Sequence, residues 1–110
     1  MSETTVAELV SRHAVVPVIA IESEEAALPL ADALIAGGLP VAEITFRTAV
    51  AAKVISRLSK ERPQLLLGAG TVLTANDVML AREAGATFIV TPGLSAATVA
   101  AAREADIPIL

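Results

Sequence analysis

The chain has 110 residues, 55% of them hydrophobic, a formal charge of −4 and no cysteine. That length implies one compact domain (residues 1–110) with a single core, and the acidic balance argues against a nucleic-acid binder, which needs a basic face. Lack of Cys removes disulfides and thiolate metal sites and fits a reducing cytosol, no apolar run approaches the roughly 20 residues of a membrane span, and the polar, acidic opening from Met1 to Arg12 is not a secretory signal.

With only two aromatics, Phe46 and Phe88, the apolar mass is Ala, Val, Ile and Leu, the palette of parallel sheets covered by helices. The pattern repeats about every 20 to 25 residues, the length of one strand plus one helix. A first helix is expected over about Ser2–Arg12, then a strand at Val15–Ile21. The next helix begins after Ser23, where Glu24, Glu25 and Ala26 suit a first turn, and stops at Gly37-Gly38. A strand follows at Leu39–Phe46, then a helix from about Ala49 to Lys60, ending before Pro63. The third strand covers Gln64–Gly68, with Thr74 as N-cap of a helix that ends at Gly85. Thr87–Thr91 is the fourth strand, Ser95 caps the next helix, and Ile107–Leu110 starts a fifth strand. No hairpin signal such as Asn-Gly occurs. The class is therefore α/β, with parallel strands joined by right-handed crossovers. Residues alone leave open a small open sheet or half of an eight-stranded barrel.

In either architecture function belongs at the carboxyl ends of the strands. The segment Glu43-Ile44-Thr45-Phe46-Arg47-Thr48 stands there. Alternate strand residues share a face, so Glu43, Thr45 and Arg47 can point together and grip a small anionic substrate. A structural ion pair or a solvated strand end would explain the same residues. Gly68-Ala69-Gly70-Thr71 fails the dinucleotide fingerprint because position 73 is Leu73. Its glycines either let the backbone approach a small ligand, with Thr71 offering a hydroxyl, or serve a tight strand-to-helix turn. Thr91-Pro92-Gly93 is equally open to turn chemistry alone. His13 is the sole histidine and lacks partners at metal-ligand spacing. Asp77 and Glu83 read as a solvated helix face, and no Ser has nucleophile-elbow context.

Taken in order, Val15-Val16-Pro17-Val18-Ile19, Gly37-Gly38, Glu43 to Thr48, Gly68-Ala69-Gly70-Thr71-Val72 and Thr91-Pro92-Gly93-Leu94 resemble the 2-dehydro-3-deoxy-6-phosphogluconate (KDPG) aldolase family. Its members often also handle 4-hydroxy-2-oxoglutarate. Phe46 stands where the family often has Leu. The resemblance implies a (β/α)8 barrel in a cytoplasmic homotrimer and a class I aldolase. Such an enzyme joins the substrate's ketone to a lysine as a Schiff base and releases pyruvate with glyceraldehyde 3-phosphate, or with glyoxylate, without metal or organic cofactor. Carried over by motif, Glu43 is the general acid/base, Arg47 binds the pyruvyl carboxylate, Thr71 contacts the keto acid, and the backbone around Pro92 lines the pocket.

The resemblance also places the Schiff-base lysine on a sixth strand and the phosphate-binding glycine loops after strands seven and eight. The only lysines here are Lys53 and Lys60, both on the expected helix over Ala49–Lys60. The expectation is thus an N-terminal helix, about four βα units and the start of strand five. Such a half barrel would be inactive alone, and marginal or self-associating. Val18, Ala20, Ile44, Leu66 and Ile89 are expected to be left uncovered on its inner face. Two alternatives remain: a non-catalytic half-barrel scaffold, and a small α/β domain that binds a carboxylated or phosphorylated metabolite.

Overall fold

Parallel strands cannot be joined by tight turns, so a chain without hairpin signals must cross back over its sheet through helices. The computed structural model describes residues 3–110 and shows this alternation throughout. Helix α1 (Glu3–His13) precedes β1 (Val18–Ile19). A 3₁₀ turn (Glu24–Ala26) leads into α2 (Ala27–Ala36), followed by β2 (Val41–Thr45), α3 (Ala51–Glu61), β3 (Leu66–Gly70), α4 (Ala75–Ala84), β4 (Phe88–Ile89) and α5 (Ala96–Glu104). The sheet runs β1-β2-β3-β4, all parallel. Ile109 adds a parallel bridge to Ile89 where the fifth strand was expected.

Bounds differ from the sequence reading in instructive ways. The expected start of α1, Ser2, lies outside the described residues. β1 shrinks from Val15–Ile21 to two residues paired on one side only, with Glu43 and Ile44 of β2. β3 ends two residues later than expected, because its glycines continue the ladder: Glu43 pairs with Gly68 and Thr45 with Gly70. Ser23 makes no side-chain cap, so the chain enters α2 through the 3₁₀ turn. Thr74 and Ser95 do cap α4 and α5, accepting from the backbone N–H of Asp77 and Thr98.

The sheet is covered on both faces. On one, Ala42, Ile44, Leu67, Ala69 and Ile89 pack against the helix layer. Helix α3 shows why it docks there, since Ala51, Val54, Ile55 and Leu58 recur at helical spacing and are all buried. The other face is narrower. Val41, Leu66 and Phe88 form a cluster with Val6 of α1, with Leu9 and Val10 packed against it. Helix α1 therefore caps the sheet's inner face at one end and leaves the carboxyl end open.

This division corrects the expected list of uncovered residues. Val18 is 59% exposed and Ala20 is also exposed, as expected. Ile44 and Ile89 are instead wholly buried against the helices, and Leu66 is covered by α1. Strand alternation already puts Ile44 opposite Glu43.

Candidate active site

Glu43 lies mid-strand on the inner face of β2, 8% exposed. Its neighbour across the ladder explains how a carboxylate fits there. A Cβ at Gly70 would overlap the Glu43 carboxylate, and would come within 2.7 Å of its Cδ and 2.8 Å of its Cγ. Gly68 makes the same kind of room for the Phe88 ring, whose Cδ2 would lie 2.7 Å from an added Cβ. Neither glycine forms a turn, so the tight-turn reading is corrected: both are strand residues whose missing side chains leave slots for Glu43 and Phe88.

Burial pushes the Glu43 carboxyl above its ordinary range, and the positive charge of Arg47 partly opposes the shift. A carboxyl so tuned holds its proton to higher pH than a surface glutamate, which suits a group that both gives and takes one. Arg47 lies past the end of β2 and is exposed. Among the described residues the ion pairs are Arg57–Glu61 at 2.8 Å and Arg62–Asp32 at 2.6 Å, so Arg47 is not locked to Glu43. A structural ion pair is not the reason for these two residues.

Thr45 departs from the expected polar trio. It is fully buried, and its hydroxyl donates to the Ile19 carbonyl at 3.2 Å. Thr48 donates likewise to the Ile21 carbonyl at 2.6 Å. These two threonines tie the Glu43–Thr48 segment to the end of β1 instead of facing a ligand.

Thr71 follows Gly70 directly, half-buried, with its backbone in the left-handed region at φ 54°. A β-branched residue rarely adopts that conformation. Pro92 lines a cleft of about 230 Å³ with Val72, Leu73, Thr91, Gly93, Ser95 and Thr98. The structure thus brings the loop after β3 beside the loop after β4, with Glu43 on the neighbouring strand. Lys53 and Lys60 are elsewhere: they line a groove with Glu24, Ser56, Arg57 and Glu61 on the outer, helical side.

One residue was misread. Asp77 is not merely part of a solvated face: its carboxylate accepts from the Leu73 N–H at 3.0 Å while its own N–H donates to the Thr74 hydroxyl at 3.1 Å. The Thr-x-x-Asp spacing resembles a capping box and could have revealed this. His13 ends α1 and lines a cavity beneath the sheet with Leu9 and Pro40. Among the described residues no group of three or more His, Cys, Asp or Glu side chains is placed to hold a metal. No described helix is long and apolar enough to cross a membrane.

Comparison with known proteins bears on family and fold. A family model described as "Aldolase: KDPG and KHG aldolase" matches residues 6–110. A 2-dehydro-3-deoxy-phosphogluconate aldolase of Haemophilus influenzae is 48% identical over 111 residues, covering 99% of this chain and 52% of its own length. The Pseudomonas aeruginosa protein of the same name is 49% identical over 96 residues, covering 87% and 44%. The KDPG aldolase of Legionella pneumophila, solved with pyruvate captured as a covalent carbinolamine intermediate, has a TM-score of 0.82 at 43% identity over 86% of this chain and 46% of that one. A solved 4-hydroxy-2-oxoglutarate/KDPG aldolase gives 0.84 at 34% identity over 100% and 52%. The chain spans about half the length of the curated relatives it matches. Its four parallel strands and their helices have the architecture of half a (β/α)8 barrel, and the small open-sheet alternative falls away.

Proposed function

From the premise that this chain belongs to the KDPG and KHG aldolase family, we propose that it carries the half of a class I aldolase site that holds the keto acid and moves protons. The reaction is cleavage of 2-dehydro-3-deoxy-6-phosphogluconate to pyruvate and glyceraldehyde 3-phosphate, or of 4-hydroxy-2-oxoglutarate to pyruvate and glyoxylate. In that role Glu43 is the general acid/base, Arg47 the carboxylate binder, Thr71 a contact to the bound keto acid, and the backbone at Pro92 a pocket wall. The assembled enzyme would be a cytoplasmic homotrimer.

The observation that carries this reading is the buried Glu43 in its Gly70 slot, with its carboxyl raised by burial and moderated by Arg47. In a Schiff-base mechanism an amine adds to the C2 ketone, giving a carbinolamine, and water then leaves to form the imine. A neutral carboxyl at Glu43 protonates the departing hydroxyl, and the resulting carboxylate can later exchange a proton with the pyruvyl methyl carbon. Arg47 fits the pyruvyl carboxylate because its planar fork meets two oxygens at once. Neither Lys53 nor Lys60 supplies the amine, since both stand on α3, across the sheet from Glu43. By itself the 110-residue chain binds keto acid without turning it over.

Titration of pyruvate followed by protein NMR tests this. Saturable shifts should centre on Glu43, Thr71 and Val72, and Arg47→Ala should weaken binding about ten- to hundredfold, the worth of a charge-assisted pair. No saturable binding, or binding unchanged in Arg47→Ala, would favour the scaffold reading.

A further inference from the structure

We infer that Asp77 and Thr98 are positioning residues for Thr71, holding it left-handed by clamping the backbone of Leu73 at both polar ends. The inference rests on the keto-acid reading above for its functional consequence, though not for its structural content.

The strained residue comes first. Thr71 at φ 54° is β-branched, and such a residue leaves the left-handed region unless its surroundings fix it there. The segment after it carries the restraint. Val72 is buried, and its N–H donates to the Val90 carbonyl at 3.3 Å, tying the loop to β4. Leu73 is different. Its side chain is 58% exposed, so packing does not hold it. Its backbone is held instead: the N–H donates to the Asp77 carboxylate at 3.0 Å, and the carbonyl accepts from the Thr98 hydroxyl at 3.4 Å. Asp77 sits in the first turn of α4, and Thr98, only 2% exposed, in the first turn of α5.

The two holds come from different helices. Asp77 belongs to α4, the helix that follows the loop, and Thr98 to α5, the helix of the next βα unit. Closing the loop from both sides leaves Thr71 few ways to relax toward extended backbone. Losing either hold gives the extended conformer a share of the population, and ligand affinity falls by the lost competent fraction.

The controls follow from the same bonds. Asp77→Ala removes the Leu73 N–H partner, whereas Asp77→Asn keeps an acceptor oxygen. Thr98→Val removes the hydroxyl at similar volume, and Thr98→Ser restores it. Thr74→Ala weakens the cap of α4 without taking either partner from Leu73.

The first readout is the backbone of Thr71 itself. A left-handed residue brings its own N–H and Hα unusually close, giving a strong intraresidue NOE on the full chain. Asp77→Ala and Thr98→Val should weaken that NOE, while Asp77→Asn, Thr98→Ser and Thr74→Ala should keep it. The second readout is pyruvate affinity, expected to drop about tenfold in the first two variants and to stay within about twofold of wild type in the other three. Thr71 remaining left-handed in both Asp77→Ala and Thr98→Val overturns the inference. So does an equal loss of the NOE in Thr74→Ala, which would make the effect one of helix capping alone. If the wild-type chain binds no pyruvate, the keto-acid reading fails, and the NOE comparison alone decides the clamp.

Discussion

Gly68 and Gly70 lie two residues apart on the same face of β3, and alanine at each should have unequal costs. At Gly68 the new Cβ would land on the Phe88 ring. That ring is fully buried in the cluster with Val6, Val41 and Leu66, so it cannot swing clear, and overpacking of this kind costs about 1–3 kcal/mol. Replacing a strand glycine also stiffens the unfolded chain, which returns about 0.4–1 kcal/mol. Gly68→Ala should therefore lose about 1–2 kcal/mol. At Gly70 the obstacle is the far end of a flexible side chain, the Glu43 carboxylate. It can turn toward the open end of the inner face for about 0.5–1.5 kcal/mol of rotamer energy. The stiffening gain offsets most of that, so Gly70→Ala should be near neutral in stability while misplacing Glu43. Urea unfolding at one fixed protein concentration measures both changes. A cycle with Phe88→Leu isolates the cause, since the shorter side chain opens the slot and the Gly68→Ala penalty should shrink by about 1 kcal/mol or more. Equal costs at the two glycines would refute the reasoning, as would a Gly68→Ala penalty unchanged beside Leu at position 88.

Glu43 should also leave a signature in pH. Its folded pKa lies above the ordinary 4.5, so between the two values the folded chain keeps a proton that the unfolded chain has lost, and stability falls as pH rises through that window. Glu43→Gln removes the penalty, so its gain in melting temperature over wild type should be negligible below about pH 4 and grow as pH rises through that window; a gain independent of pH would exclude burial as the source. The exposed Val18 on a strand paired on one side only should promote self-association. Sedimentation of this chain across concentrations should show it, with Val18→Lys shifting the distribution toward monomer; a wild-type chain monomeric throughout would count against it.

The alternation of strands and helices was legible because it is a pattern of periods, and the periods persist whatever the tertiary partners. The helix stops at Gly37 and Gly85 and the caps at Thr74 and Ser95 were legible for a local reason, since each is set within a few residues. What failed depended on register. Nothing in Gly68-Ala69-Gly70 says that Glu43 and Phe88 will need its two vacant positions; that follows only once β2 and β4 are laid beside β3. The Thr45 hydroxyl was read as a ligand group because its partner, the Ile19 carbonyl, is 26 residues away. Ile44 and Ile89 were placed on the wrong face because strands covered on both sides lose the contrast between apolar and polar faces. Asp77 was missed for a smaller reason: its carboxylate reaches back past the cap residue to Leu73, one position beyond the usual box.

Pyruvate offered to this chain with borohydride separates holding a keto acid from activating it. Intact-mass analysis should show no stoichiometric reduced adduct, even at pyruvate concentrations where Arg47-dependent binding saturates. A stable adduct on Lys53 or Lys60, accompanied by aldol cleavage, would contradict the assignment of these 110 residues to the binding and proton-transfer half of the site.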